Sequence, residues 1–257
     1  MRITAEPDGL RQGTVHTTTI ERTGAVERTD PADRHVSWTT AGPVISHLPE
    51  AGISALEERS MATIADPSTL GLWGFATGTW IVATVLAGDL PLTSLPGTAM
   101  VVLIFGGIVQ FIAGLYAFRR ANALTATAFC CFGAFNATAA ATVLLQATGL
   151  LPPGGGTLVF QGYLLESFGF IALALTFAAL RVNLVLVGVL ATLCVGYVLS
   201  GIPDFGVGAT AATGRGAVGA VGGYFLMASA FLAYYLGMAL AVNSSWKRRV
   251  LPIFGEP

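Results

Sequence analysis

The sequence has little charge, and what it has is unevenly distributed. Asp, Glu, Lys and Arg make up 11% of its 257 residues, against about 25% in soluble globular domains. The mean hydropathy is +0.71. Residues 1–61 nevertheless contain six of the 13 basic residues and nine of the 14 acidic residues. The composition therefore indicates a membrane protein with a polar amino-terminal segment.

Histidine and cysteine, which supply many catalytic bases and metal ligands, are also scarce. The three histidines all lie within residues 1–61, and the three cysteines lie in apolar stretches without ligand spacing to a histidine. No dinucleotide-binding or phosphate-binding loop is present, and no nucleophile is paired with a histidine base. We therefore predict no catalytic residue, no metal site, no cofactor, no nucleic-acid partner and no enzyme activity.

Residues 1–61 are polar, rich in Thr, Pro and Gly, and without helical or strand periodicity. Such a segment cannot bury enough apolar surface to offset its backbone entropy. No apolar run of signal-peptide length follows its first arginines. We predict a disordered cytoplasmic tail, with a regulatory or partner-binding arm as the alternative, and assign residues 62–257 to a membrane domain.

The membrane domain contains six apolar stretches of about the 20 residues that span a bilayer as a helix. Turn-forming sequences such as "LPPGGG" and "IPDFG" separate them. The stretches run over approximately 70–88, 97–118, 124–150, 158–180, 182–202 and 217–242. The predicted fold is an all-α membrane protein with six transmembrane helices in one bundle.

Positive charge predicts the orientation, because short cytoplasmic loops collect Lys and Arg. With the amino terminus inside, the outer side holds only Arg215. The inner side then holds Arg59, Arg119, Arg120, Arg181, Lys247, Arg248 and Arg249. Both termini are therefore predicted to be cytoplasmic, in a multi-pass protein of the plasma or inner membrane.

Three polar side chains within the predicted spans are candidates for a transport path. An unpaired amide in hydrocarbon costs about 4–8 kcal/mol, so Gln110 and Asn136 are expected either to form an interhelical hydrogen bond or to line a path. Glu166 is the only acid within a predicted span. Because intramembrane carboxylates usually have a function, we predict a proton-coupling or gating role for Glu166.

Three segments of the membrane domain occur in an order that resembles a known family. The first is "DPSTLGLWGF" (66–75), in the place of an Asn-Pro-Ala-Pro-Leu-Gly-Leu motif. The second is "GGIVQ" (106–110), followed by Arg119, Arg120, Asn122 and "TAF" (127–129). The third is Tyr235 with Asn243 and "VLPI" (250–253). Together these segments resemble the acetate uptake transporters, the succinate–acetate permease family, over residues 66–254.

The first motif both matches and departs from the family pattern. The matching residues are Pro67, Leu70, Gly71 and Leu72. Asp66 stands where the family has asparagine, and Thr69 replaces its second proline. A negative charge at the start of the first helix would be unfavourable for a carboxylate solute unless it were paired, so the departures bear on substrate preference.

The resemblance implies a homohexamer in which each protomer has its own path through the lipid bilayer. It also implies a narrow constriction formed, by motif, by Phe75, Phe132 and Leu190. Position 132 is tyrosine in bacterial relatives, so the constriction here would lack that hydroxyl. The alternative is that the three side chains are ordinary core residues.

The predicted function is transport of acetate and related short-chain carboxylates, including succinate, either as a channel or as a proton-coupled secondary transporter. Its partners would be the small carboxylate and, for a symporter, protons. One alternative is a channel for a neutral solute such as urea, an amide or ammonia. Another is a membrane scaffold or sensor that acts through residues 1–61.

Overall fold

The computed structural model describes residues 64–152, 155–205 and 216–255. The predicted tail, Arg59 and Arg215 lie outside the described residues, and the domain boundary after residue 61 stays a prediction. The described chain forms six helices long and apolar enough to span a membrane, which confirms the predicted all-α class. They are α1 (Ser68–Ala87), α2 (Leu92–Arg119), α3 (Ala123–Ala147), α4 (Gly155–Ala179), α5 (Leu184–Gly201) and α6 (Gly216–Trp246).

The six helices form a closed ring. Each helix packs against the next one in the sequence, and α6 returns to pack extensively against α1. The contact between α3 and α4 is the smallest between consecutive helices. The short connections 120–122 and 180–183 join antiparallel neighbours, as expected for connections of that length. The ring surrounds a single interior to which all six helices can contribute side chains.

Local hydrogen bonds define where several helices begin. The side-chain oxygen of Asn122 accepts a hydrogen bond from the backbone N–H of Thr125 at 3.1 Å, and Asn183 does the same for Leu186 at 2.7 Å. These are asparagine N-caps of α3 and α5. At the start of α1, the exposed Asp66 carboxylate accepts a hydrogen bond from the N–H of Ser68 at 2.9 Å. A carboxylate at a helix amino terminus is electrostatically favourable, so the charge of Asp66 is paired with the backbone of α1.

The basic residues of the described chain share one end of the ring. They are Arg119, Arg120, Arg181, Lys247, Arg248 and Arg249. The guanidinium of Arg120 donates a hydrogen bond to the carbonyl of Ile64, which places the start of the described chain at the same end. At the opposite end, the parts of the connections that the structure describes carry no Lys or Arg. This distribution agrees with the predicted orientation.

Helix α2 is irregular in its middle. Its residues Val102–Val109 form a π-helix, between α-helical segments Leu95–Val101 and Gln110–Arg119. The backbone of α2 lies close to α1 there, because a Cβ atom added to Gly78 would be 2.9 Å from the Cα of Gly106. Small residues at both positions permit this close approach, which is typical of helix packing in membranes.

The chain after α6 folds back onto that helix. The side chain of Asn243 accepts hydrogen bonds from the backbone N–H groups of Val250 (2.7 Å) and Leu251 (2.9 Å). It also donates to the carbonyl of Leu251 at 2.9 Å. The Tyr235 hydroxyl donates to the carbonyl of Pro252 at 2.7 Å. The tyrosine, asparagine and "VLPI" of the third motif are therefore one structural unit at the basic end of the ring.

Candidate functional site

A cavity of about 640 Å³ lies inside the ring, in the half away from the basic end. Its volume falls within the range of small-ligand sites, roughly 300–1,000 Å³. Its wall is mainly aliphatic and aromatic, and every helix contributes to it. The lining side chains include Thr79, Val82, Thr98, Ala99, Asn136, Ala139, Leu164, Tyr197, Asp204 and Leu226. By the predicted orientation, the cavity lies in the outer half of the membrane.

Five aromatic rings, here called the aromatic cluster, pack together next to the cavity. They are Phe75, Phe132, Phe135, Phe168 and Tyr197, from α1, α3, α4 and α5. The Phe132 ring centroid is 6.3 Å from Phe75, 6.0 Å from Phe168 and 6.2 Å from Tyr197. The centroid of Phe135 is 4.6 Å from Phe168 and 4.9 Å from Tyr197. All five separations fall within the range of favourable aromatic pairs.

The aromatic cluster forms the floor of the cavity. Phe135 and Tyr197 line the cavity wall, whereas Phe75 and Phe132 do not and lie behind them. Both of these deeper rings are almost completely buried. In this conformation the interior of the ring is therefore filled by aromatic side chains below the cavity.

Of the three predicted constriction residues, the structure brings the rings of Phe75 and Phe132 within 6.3 Å of each other. Phe75, Phe132 and Leu190 are all buried and belong to one hydrophobic cluster. Their role as a constriction stays a prediction. Phe135, Phe168 and Tyr197 were not predicted, although helix spacing offered a signal for two of them. Residues three and seven positions apart lie on the same helix face, as Phe135 does with Phe132, and Tyr197 with Leu190.

Gln110 and Asn136 form a hydrogen bond between α2 and α3. The side-chain nitrogen of Asn136 donates to the side-chain oxygen of Gln110 at 3.3 Å and to the carbonyl of Gly106 at 3.2 Å. Gly106 lies in the π-helical part of α2. Gln110 is only 1% exposed and does not line the cavity, whereas Asn136 does. The predicted interhelical hydrogen bond is therefore present, and a role in the path stays a prediction for both residues.

The surroundings of two carboxylates, Glu166 and Asp204, differ from those that the sequence predicted. Glu166 is half-buried and does not line the cavity. One of its oxygens is 3.0 Å from the position that a Cβ of Gly201 would occupy, so it lies in the contact between α4 and α5. Asp204 is buried, lines the cavity, and belongs to the helical extension Ile202–Phe205 of α5. Glu166 is thus not the only acid within a span, because the fifth span extends to Phe205.

The first motif serves the packing of α1 rather than the cavity wall. Gly71 lies directly beneath the ring of Phe129, and a Cβ atom at position 71 would overlap that ring. The "LGL" and "TAF" motifs are therefore in contact. Pro67 and Leu72 are buried, whereas Leu70 is half exposed.

A closed ring of membrane-spanning helices, with an apolar cavity that ends on packed aromatic side chains, defines a multi-pass membrane protein of the transporter and channel class. The model of the GPR1/FUN34/yaaH family matches residues 50–254. The chain therefore belongs to this family, and the family resemblance predicted from the sequence is confirmed.

Similar proteins include transporters from bacteria and yeast. The succinate-acetate/proton symporter SatP of Escherichia coli strain K12 is 32% identical over 191 residues, 74% of this chain and 95% of SatP. Ammonia transport outward protein 2 of Saccharomyces cerevisiae is 28% identical over 192 residues, 70% of this chain and 64% of the yeast protein. The solved structure of the bacterial acetate channel SatP has a TM-score of 0.67 and 29% identity, covering 74% of this chain and 99% of that structure.

Proposed function

We propose that this chain transports acetate and related short-chain carboxylates, including succinate, through the cavity and past the aromatic cluster. The observation that carries the proposal is the apolar cavity closed at its floor by Phe75, Phe132 and their neighbours. Similarity to the succinate-acetate/proton symporter SatP supports carboxylates as the solute class.

The proposed path gives a physical role to each part of the site. A small carboxylate enters the cavity from the end opposite the basic residues, and the aliphatic wall removes part of its hydration. The aromatic cluster is the barrier, since an apolar constriction can close a path by excluding water. Passage requires the Phe75 and Phe132 rings to part. No bond is made or broken, so we assign no catalytic residue and propose a transporter rather than an enzyme.

Coupling to protons is the second part of the proposal. One relative is named a proton symporter and the solved structure is named a channel. Glu166 is our candidate for a coupling group, because a half-buried carboxylate in a span can bind and release a proton. Its place between α4 and α5 would let protonation change the contact of these helices.

Uptake of radiolabelled acetate into proteoliposomes tests the proposed function. We expect saturable uptake above that of protein-free liposomes, with accumulation when a pH gradient is imposed. Saturable downhill uptake without accumulation would identify a channel. Folded protein that passes urea or ammonia but no acetate would contradict the proposal and favour the neutral-solute alternative.

The proposed assembly is a homohexamer, as the family resemblance implies. Among the six spans, α4 is the least buried within the protomer. Its exposed rings Phe170 and Phe177 face lipid or a second copy of the chain. Native mass spectrometry of the detergent-purified protein tests the proposal, and a monomer under conditions that preserve transport would contradict it.

A further inference from the structure

Two buried hydroxyl groups in the cavity wall lack hydrogen-bond partners among the described residues. They belong to Tyr197 of α5 and Thr79 of α1, each 3% exposed. No residue that the structure describes donates to or accepts from either hydroxyl, and both residues line the cavity. A buried hydroxyl without a partner is unfavourable, so both groups are placed to bind what enters the cavity.

Both side chains lie at the floor of the cavity. Tyr197 packs against Phe132 (6.2 Å) and Phe135 (4.9 Å), which hold its ring in place. Thr79 is one helical turn from Phe75 on the same face of α1, since residues four apart are neighbours on a helix. Both side chains therefore line the part of the cavity that lies next to the aromatic cluster.

The other buried donors of the wall are already engaged. Asn136 uses its side-chain nitrogen for the carbonyl of Gly106 and the side-chain oxygen of Gln110. The hydroxyl of Thr98 donates to the carbonyl of Leu95 at 3.0 Å. The hydroxyls of Tyr197 and Thr79 are thus the buried donors of the cavity wall that are left to form a hydrogen bond with an anion.

We propose that the hydroxyls of Tyr197 and Thr79 form a carboxylate-binding site at the floor of the cavity. Each donates one hydrogen bond to the solute, so that the carboxylate is held immediately before the aromatic cluster while its apolar end contacts the aliphatic wall. The site deepens the proposed transport function and rests on it. The Tyr197 ring also places an aromatic hydroxyl next to Phe132, whose own ring has no hydroxyl.

The test is the concentration dependence of acetate uptake by Tyr197→Phe and Thr79→Val in proteoliposomes. Each change removes a hydroxyl and keeps the shape of the side chain. Loss of one hydrogen bond to a charged group should raise the half-saturation concentration about tenfold. The matched controls Tyr116→Phe and Thr138→Val alter exposed residues outside the cavity wall, and they should leave it unchanged.

A binding measurement separates affinity from the rate of transport. Acetate should raise the thermal stability of the detergent-purified wild type more than that of Tyr197→Phe, because a ligand stabilises the state that binds it.

The outcomes distinguish the site from the transport function. Wild-type uptake with an unchanged half-saturation concentration in both hydroxyl variants would overturn the site and leave the function intact. A Tyr197→Phe protein that fails to fold would also overturn it, because the hydroxyl would then have a structural role. Folded wild type without acetate uptake or stabilisation would remove both proposals.

Discussion

Gln110 and Asn136 form a side-chain hydrogen bond between α2 and α3. Its contribution to the stability of the protein depends on both residues. Asn136 has two acceptors, the side chain of Gln110 and the carbonyl of Gly106 in the π-helical stretch. Gln110 is buried and does not line the cavity, so its oxygen has no water to replace a lost donor. The pair therefore fixes the register of the two helices beside the cavity.

Asn136→Leu should destabilise the protein because it leaves the buried Gln110 oxygen without a donor. We expect a loss of about 1–3 kcal/mol, the usual cost of an unsatisfied buried group, seen as a lower melting temperature in detergent. The double variant Gln110→Leu/Asn136→Leu should recover part of this loss. A double variant no better than the sum of the single ones would show that the two amides act independently.

Glu166→Gln should abolish accumulation of acetate driven by a pH gradient while leaving downhill uptake, because glutamine cannot exchange a proton. The matched control is Asp89→Asn, which changes an exposed acid just after α1. Accumulation by Glu166→Gln equal to that of the wild type would remove Glu166 as the coupling group.

For single residues, candidates were easier to select from the sequence than their contacts with residues of other helices. It indicated Gln110, Asn136, Phe75 and Phe132 as candidates, because polar or motif residues stand out in an apolar span. It did not identify Tyr197 as their neighbour, because the ring contact joins residues of different helices that are far apart in sequence. It also placed Asp204 in a connection, since the helical extension of α5 contains a proline.

Among the helices, the contact of α1 with α3 depends on the absence of a side chain at one position. The ring of Phe129 occupies the space in which a Cβ of Gly71 would lie. Both residues belong to motifs that the family resemblance rests on. Their contact explains, in packing terms, why a glycine and an aromatic residue are needed there.

Gly71→Ala should lower the stability by about 1–3 kcal/mol, the usual cost of overpacking a well-packed core. Thermal unfolding of the detergent-purified protein measures the change. Gly97→Ala is the matched control, because a Cβ at position 97 meets no atom within 4 Å. Equal melting temperatures for the two variants would contradict the packing account.

The number and approximate bounds of the helices could be predicted because membrane thickness fixes the length of an apolar span. The π-helix Val102–Val109 could not be predicted. It lies in an uninterrupted apolar run, where no turn residue or change of period marks a local change in hydrogen bonding. The helix faces that pack together could not be predicted either, because spans that are apolar on all sides show no amphipathic period.

For the whole molecule, the transport unit should be the part that the family model matches. A chain starting at residue 50 retains residues 50–254, the extent of that match. We expect it to take up acetate at the rate of the full chain, per folded protomer in proteoliposomes. Loss of uptake in a truncated protein with unchanged thermal stability would favour the scaffold or sensor alternative.

The central claim is that the aromatic cluster is the barrier on a path for acetate, and Phe132 lies at its centre. The most direct test compares initial acetate uptake by Phe132→Ala with that of Phe231→Ala, in proteoliposomes of equal folded-protein content. Phe231 is 65% exposed on α6 and outside both the cluster and the cavity wall, so its variant should match the wild type. Opening the barrier predicts a several-fold faster downhill uptake for Phe132→Ala, whereas unchanged uptake in both variants would contradict the account.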